Sequence, residues 1–188
     1  QQVNFRKDFG PDLEKIDLNK LNSIKKKDFL KKLNPVYEII KETKSKLIVN
    51  NKDTIGFVGA PWTLLLYMLN RKSPKEGNLN IFPKDKYIND ILVKLDEFLK
   101  IHIEAQISNG ASIIQIFDSW AGLLPDKDLE YFVYKPIKNL VDFIRQKKTI
   151  SVCFPRNINN YKKFVEYVNP DIINIDYNVD PSLIKETI

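Results

Sequence analysis

Thr54-Ile55-Gly56-Phe57-Val58-Gly59-Ala60-Pro61-Trp62-Thr63-Leu64-Leu65-Leu66-Tyr67-Met68-Leu69 holds two kinds of regular structure back to back. Thr54 to Gly59 has the length and apolar character of a short buried strand, and it stops at Gly59 and Pro61. From Trp62 to about Leu69 the residues read as a helix. A buried strand that feeds directly into a helix is the repeating unit of parallel α/β folds.

The unit recurs downstream. A helix is predicted from about Asp85 to Ser108, with Ile88, Ile91, Leu92, Leu95, Phe98 and Leu99 on one face and Asn109-Gly110 as its stop. Ala111 to Phe117 is the next strand, and a helix from about Lys127 to Lys147 follows, with Pro136 placed to kink it. Thr149 to Phe154 is a third strand, Asn159 to Val168 a helix, Asp171 to Asp176 a fourth strand, and Pro181 opens a further helix. Upstream, Leu13 to Lys46 reads as two or three helical stretches interrupted at Asn34-Pro35. The chain is thus expected to be one domain, with a mainly helical lead-in over residues 1–50 and alternating strand–helix units over 51–188. Right-handed crossovers then give a parallel sheet covered by helices. Four strands do not close a barrel, and a complete (β/α)8 TIM barrel takes about 250 residues. The expectation is an α/β chain that covers part of such a barrel; the rival is an open four-stranded sheet, complete as it stands.

Composition narrows the function classes. With 43% hydrophobic residues in 188, the chain can bury a sizeable core. Its longest apolar runs fall short of the roughly 18 residues that a membrane span needs. Cys153 is the sole cysteine and His102 the sole histidine, so no intramolecular disulfide and no His/Cys metal cluster is expected. The net charge of +6 comes from lysines interspersed with acidic residues, since only Arg6, Arg71, Arg145 and Arg156 are arginines. That pattern reads as a solvated surface rather than a nucleic-acid platform. Gly56 to Gly59 matches neither a dinucleotide-binding turn nor a phosphate loop.

In barrels of this kind the reactive groups sit at the carboxyl ends of the strands. Three ends stand out. Gly59-Ala60-Pro61-Trp62-Thr63 turns tightly, with Trp62 and Tyr67 offering flat surfaces; ordinary helix-start chemistry with Trp62 in the core is the competing reading. Gln115-Ile116-Phe117-Asp118-Ser119-Trp120-Ala121-Gly122 runs a buried strand into a carboxylate, a hydroxyl and an indole; here Asp118 or Ser119 as a cap is an equal alternative. Asn174-Ile175-Asp176 ends the fourth strand, and Asp180-Pro181 reads as a helix start. His102 reads as a satisfied helix residue and Cys153 as a packed small one.

Gly56 to Leu64 with Tyr67, together with Gln115 to Gly122, resembles the uroporphyrinogen decarboxylase family. Weaker similarity runs through Phe5-Arg6 to Gly10-Pro11 and Ile173 to Pro181. The resemblance implies a (β/α)8 barrel, usually a homodimer, cytoplasmic or plastid, that takes a tetrapyrrole. It implies removal of CO2 from the four acetate side chains of uroporphyrinogen III to give coproporphyrinogen III, with no metal or organic cofactor, membrane or nucleic-acid partner. In the family the residues matching Phe57, Tyr67 and Ser119 line the cleft. Tyr67 and Ser119 are carried over as catalytic, Phe57 as a wall residue, and Trp62 and Asp118 as wall or supporting residues. The family's arginine-containing segment and its NH-binding aspartate are expected upstream of Gln1, and its late histidine loop downstream of Ile188, so residues 1–188 alone are expected to be inactive. Asn70-Arg71-Lys72, Pro155-Arg156-Asn157 and Tyr177 depart from the family pattern, and Arg71 or Arg156 is a candidate to meet a carboxylate. A related barrel acting on corrinoid-bound methyl groups, which needs zinc held by His and Cys, and a non-catalytic barrel remnant acting as a binding module are the alternatives.

Overall fold

The computed structural model describes residues 3–6, 10–47, 49, 51–71, 74 and 82–182. Its centre is a four-stranded, wholly parallel sheet in sequential order: β3 (Ile55–Gly59), β4 (Ile113–Asp118), β5 (Ile150–Pro155) and β6 (Ile172–Ile173). The register sets Gly59 beside Phe117, Phe117 beside Phe154, and Cys153 beside Ile173. Helices α3 (Pro61–Asn70), α4 (Lys86–Ser108) and α6 (Lys135–Gln146) make the crossovers, and α7 (Tyr161–Val168) lies beside α6. This is an arc of a (β/α)8 TIM barrel, as the alternation of strand and helix predicts.

Successive residues of a strand face opposite ways, and here the two faces differ sharply. Val58, Ile114, Ile116 and Cys153 are buried in one core with Leu65, Leu66, Ile91, Ile103, Phe132, Leu140, Ile144 and Phe164 of the helical layer. On the other face Phe57 is 64% exposed and Ile55 54% exposed. Helices therefore cover one side, and the side that lines a barrel interior stands open.

Local signals explain most boundaries. Asp85 accepts the Ile88 N–H at 2.9 Å and caps α4, whose end is closed by backbone bonds from Asn109. Pro136 has no N–H to donate and crowds the preceding turn. The chain responds with a π-helical segment, Glu130–Tyr134, between α5 (Asp126–Leu129) and α6. The predicted kink is thus a widened turn.

Three expectations need correction. The lead-in is α1 (Leu18–Ser23) and a single 22-residue α2 (Lys26–Leu47) that runs through Pro35 instead of breaking there. Packing outweighs the lost hydrogen bond: α2 lies along α4, where Tyr37 is buried and its hydroxyl lies 3.0 Å from His102 Nδ1. Ahead of these helices, β1 (Val3–Arg6) and β2 (Gly10–Leu13) form an antiparallel hairpin that the residue pattern does not announce. The fourth strand shrinks to Ile172–Ile173, because Asp176 is drawn into side-chain hydrogen bonds. The helix predicted to open at Pro181 lies mostly outside the described residues. No described helix is long and apolar enough to cross a membrane.

Candidate active site at the strand tips

The carboxyl ends of β3, β4 and β5 are tied together by backbone. Ala60 N–H donates to the Phe117 carbonyl at 2.8 Å, and Arg156 N–H donates to the Asp118 carbonyl at 3.1 Å. Gly122 N–H donates to the Arg156 carbonyl at 2.9 Å, folding the turn after β4 over the turn after β5. Gly122 permits this approach, since a Cβ there would sit 2.2 Å from the Asn157 carbonyl oxygen. The two turns enclose a recess of about 160 Å³ lined by Ser119, Trp120, Gly122, Leu123, Arg156 and Asn157.

Three phenyl rings run across the open face just below. Phe57 meets Phe117 edge-on with centroids 6.1 Å apart, and Phe117 meets Phe154 edge-on at 6.4 Å. Phe57 is held from behind by Gln106 of α4, whose amide accepts the Phe57 N–H and donates to the Phe57 carbonyl, each at 3.1 Å. Tyr67 stands on α3, half-buried, one turn beyond Leu64. Leu64 lies 3.1 Å from where a Gly59 Cβ would project. Gly59 and Phe57, two residues apart on one strand, share the open face, and residues three apart on a helix share a face. Tyr67 therefore lies on the same side of α3 as Leu64. Ser119 lines the recess, whereas Tyr67 and Phe57 are not among its lining residues.

Trp62 and Asp118 lie on the other side of the sheet. Trp62 is fully buried between Phe132 and Phe82, and its Nε1–H donates to the Trp120 carbonyl at 2.9 Å. Asp118 is fully buried, and its Oδ1 accepts from Thr63 Oγ1 at 2.7 Å while Oδ2 has no partner among the described residues. Burial pushes its carboxyl up to about 7, against the opposing pull of the Thr63 hydroxyl and the Trp120 backbone N–H. These two residues brace the tips from behind. Asp176, also buried, accepts from the Tyr161 hydroxyl and from Asn157 N–H, both at 2.6 Å, and so fixes the turn that carries Arg156.

The opposite end of the sheet is built for stability. Asp53 accepts from Lys44, Ser112 Oγ and Thr54 N–H, which hold it down at about 2. Asp171 accepts from Ser151 N–H and Oγ and is likewise lowered, the hydroxyl being the main cause. His102 contacts Phe29 and Tyr37 on the outer helices, and burial lowers its pKa. Cys153 is buried toward the helices, and desolvation raises its thiol. No group of three His, Cys, Asp or Glu suited to a metal occurs among the described residues.

The row of Phe117 and Phe154, the Gln106 brace, the Thr63 tie and the Tyr161–Asp176 pair escape the reading of the sequence. Phe117 and Phe154 are visible only as strand residues until register puts them beside Phe57. Arg156 is singled out there, and the structure sets it beside Ser119.

The uroporphyrinogen decarboxylase (URO-D) family model matches residues 1–188. A relative named uroporphyrinogen decarboxylase from Orientia tsutsugamushi strain Ikeda is 38% identical over 94% of this chain and 53% of its own length. One of the same name from Rickettsia bellii is 33% identical over 93% of this chain and 53% of its own. A third, from Campylobacter fetus, is 32% identical over 100% of this chain and 56% of its own. The chain spans about half the length of the curated relatives it matches. With a parallel α/β arc that matches the family model along its whole length, the chain belongs to the uroporphyrinogen decarboxylase family.

Proposed function

We propose that the full-length protein is a uroporphyrinogen decarboxylase, converting uroporphyrinogen III to coproporphyrinogen III. Residues 1–188 are then part of a single barrel domain in a cytoplasmic homodimeric enzyme that needs no metal or organic cofactor. The observation that carries the reading is the meeting, at the β3 to β5 tips, of a row of edge-on phenyl rings and a polar recess. Phe57, Phe117 and Phe154 supply the apolar surface, Ser119 lines the recess, and this reading assigns Tyr67 of α3 as a second hydroxyl. A tetrapyrrole bearing carboxylate arms needs both surfaces at once.

In the chemistry this implies, a proton adds to a pyrrole ring carbon and makes the ring cationic. The bond between an acetate methylene and its carboxylate then breaks, its electron pair flows into the ring, and CO2 leaves. The methylene is then protonated to a methyl group, and the ring carbon releases the proton it took up, which restores the neutral pyrrole. Tyr67 and Ser119 orient the substrate through hydrogen bonds, Phe57 shapes the wall, and Trp62 and Asp118 hold the tips that present them. His102 is engaged by Tyr37 and Cys153 is buried in the core, so neither serves as a zinc ligand at the described strand tips, as the zinc-dependent methyltransferase alternative would ask.

In the full-length protein, Tyr67→Phe and Ser119→Ala are each expected to lower kcat/KM about tenfold, the worth of one lost hydrogen bond in the transition state. Their unfolding midpoints should match wild type. Coproporphyrinogen formation and CO2 release are the readouts. Wild-type kinetics in both variants would remove these residues from the site, and a wild-type protein that leaves uroporphyrinogen III intact would remove the function.

A further inference from the structure

Three arginine side chains are described, and two are already engaged. Arg71 donates from Nε to the Leu13 carbonyl at 2.6 Å and pairs with Asp12 at 3.8 Å. Arg145 pairs with Asp142 at 3.2 Å and donates to the Asn169 carbonyl at 2.5 Å. The side chains of Arg156 and Ser119 have no hydrogen-bond or ion-pair partner among the described residues, and both residues line the recess between the β4 and β5 tips.

The backbone under Arg156 is fixed from three directions. Its N–H is held by Asp118, its carbonyl by Gly122, and the N–H of the next residue by the buried Asp176 carboxylate. An arginine with no side-chain partner among the described residues, rising from a fixed backbone at the end of the barrel where chemistry occurs, is free to meet an anion. The planar guanidinium suits a carboxylate in particular, because its N–H fork matches two carboxylate oxygens. The neighbouring row of phenyl rings accommodates the apolar body that such a carboxylate would be attached to.

We propose that Arg156, set beside Ser119, is the residue that takes the carboxylate of one acidic side chain of the substrate. The identity of that substrate as a tetrapyrrole rests on the decarboxylase reading. Arg156 is then a specificity residue, gripping an arm while the reacting acetate lies elsewhere over the ring wall.

The test uses full-length wild type, Arg156→Gln and Arg156→Lys. KM and kcat are measured with uroporphyrinogen III, Kd with coproporphyrin III, and folding by thermal unfolding. Arg156→Gln should raise KM and Kd about tenfold with a smaller change in kcat, while Arg156→Lys retains part of the affinity. Because the side chain is exposed, the unfolding midpoint should not move. If wild type turns over and Arg156→Gln keeps KM and Kd within about twofold of it, the role given to Arg156 is wrong and the decarboxylase reading stands. If wild type releases no CO2 yet Arg156→Gln loses porphyrin binding, the decarboxylase reading is wrong and the role of Arg156 stands. A wild-type protein that neither binds the porphyrin nor acts on uroporphyrinogen overturns both.

Discussion

Trp62→Ala is expected to cost the full-length protein about 3–5 kcal/mol of stability, the range for truncating a fully buried aromatic. The indole has no exposed surface, packs on Phe132 at 5.1 Å and Phe82 at 6.0 Å, and donates its N–H to the Trp120 carbonyl. Alanine therefore opens a cavity at the start of α3 and frees the carbonyl next to Ser119. Trp62→Phe keeps most of the apolar volume but not the donor, and should lose on the order of 1–2 kcal/mol. Urea unfolding gives both values. A loss below about 1 kcal/mol for Trp62→Ala would show that the site collapses without penalty and that the helix–sheet core does not depend on this residue.

Asp118→Asn is expected to raise stability near neutral pH and to remove a pH dependence. The folded protein holds the Asp118 carboxyl at about 7, above its ordinary 3.8, because ionising it means placing a charge where no water reaches. A raised carboxyl binds its proton more tightly in the folded than in the unfolded chain. Its contribution is full below the unfolded value and is lost as pH rises toward about 7, beyond which the penalty is constant. Between about pH 4 and about pH 8 the difference between wild type and Asp118→Asn should grow by on the order of a few kcal/mol in favour of the variant. Asparagine retains an oxygen for the Thr63 hydroxyl, so the tie between α3 and the β4 tip survives. Unfolding measured across that pH range decides the matter, and parallel curves for the two proteins would mean that Asp118 is ionised and solvated.

The fold is legible wherever a local signal carries it. Asp85 and Asn109-Gly110 mark both ends of α4 because capping is written in adjacent residues. Pro136 announces an irregularity, though not that it takes the form of a π turn. Pro35 misleads, since the contact of Tyr37 with His102 that keeps α2 whole joins residues far apart in the chain. The site divides in the same way. Gly59, Trp62, Asp118 and Ser119 can be found at strand ends from their order alone. Which of them look outward cannot, because strands of a parallel sheet are apolar on both faces and hide their alternation. Trp62 and Asp118 turn to the helices, whereas Phe57 with Phe117 and Phe154 turns to the open side. Arg156 acquires meaning only when the backbone bonds to Asp118 and Gly122 bring it beside Ser119.

A crystal structure of the full-length protein with coproporphyrinogen bound tests most directly whether the three strand tips form a single tetrapyrrole site. The ligand is expected over the ring wall of Phe57, Phe117 and Phe154, within reach of Tyr67, with one carboxylate between Ser119 and Arg156. A ligand found in the outer groove between α2 and α4, or with Tyr67 and Ser119 on opposite sides of it and out of contact, would contradict the account.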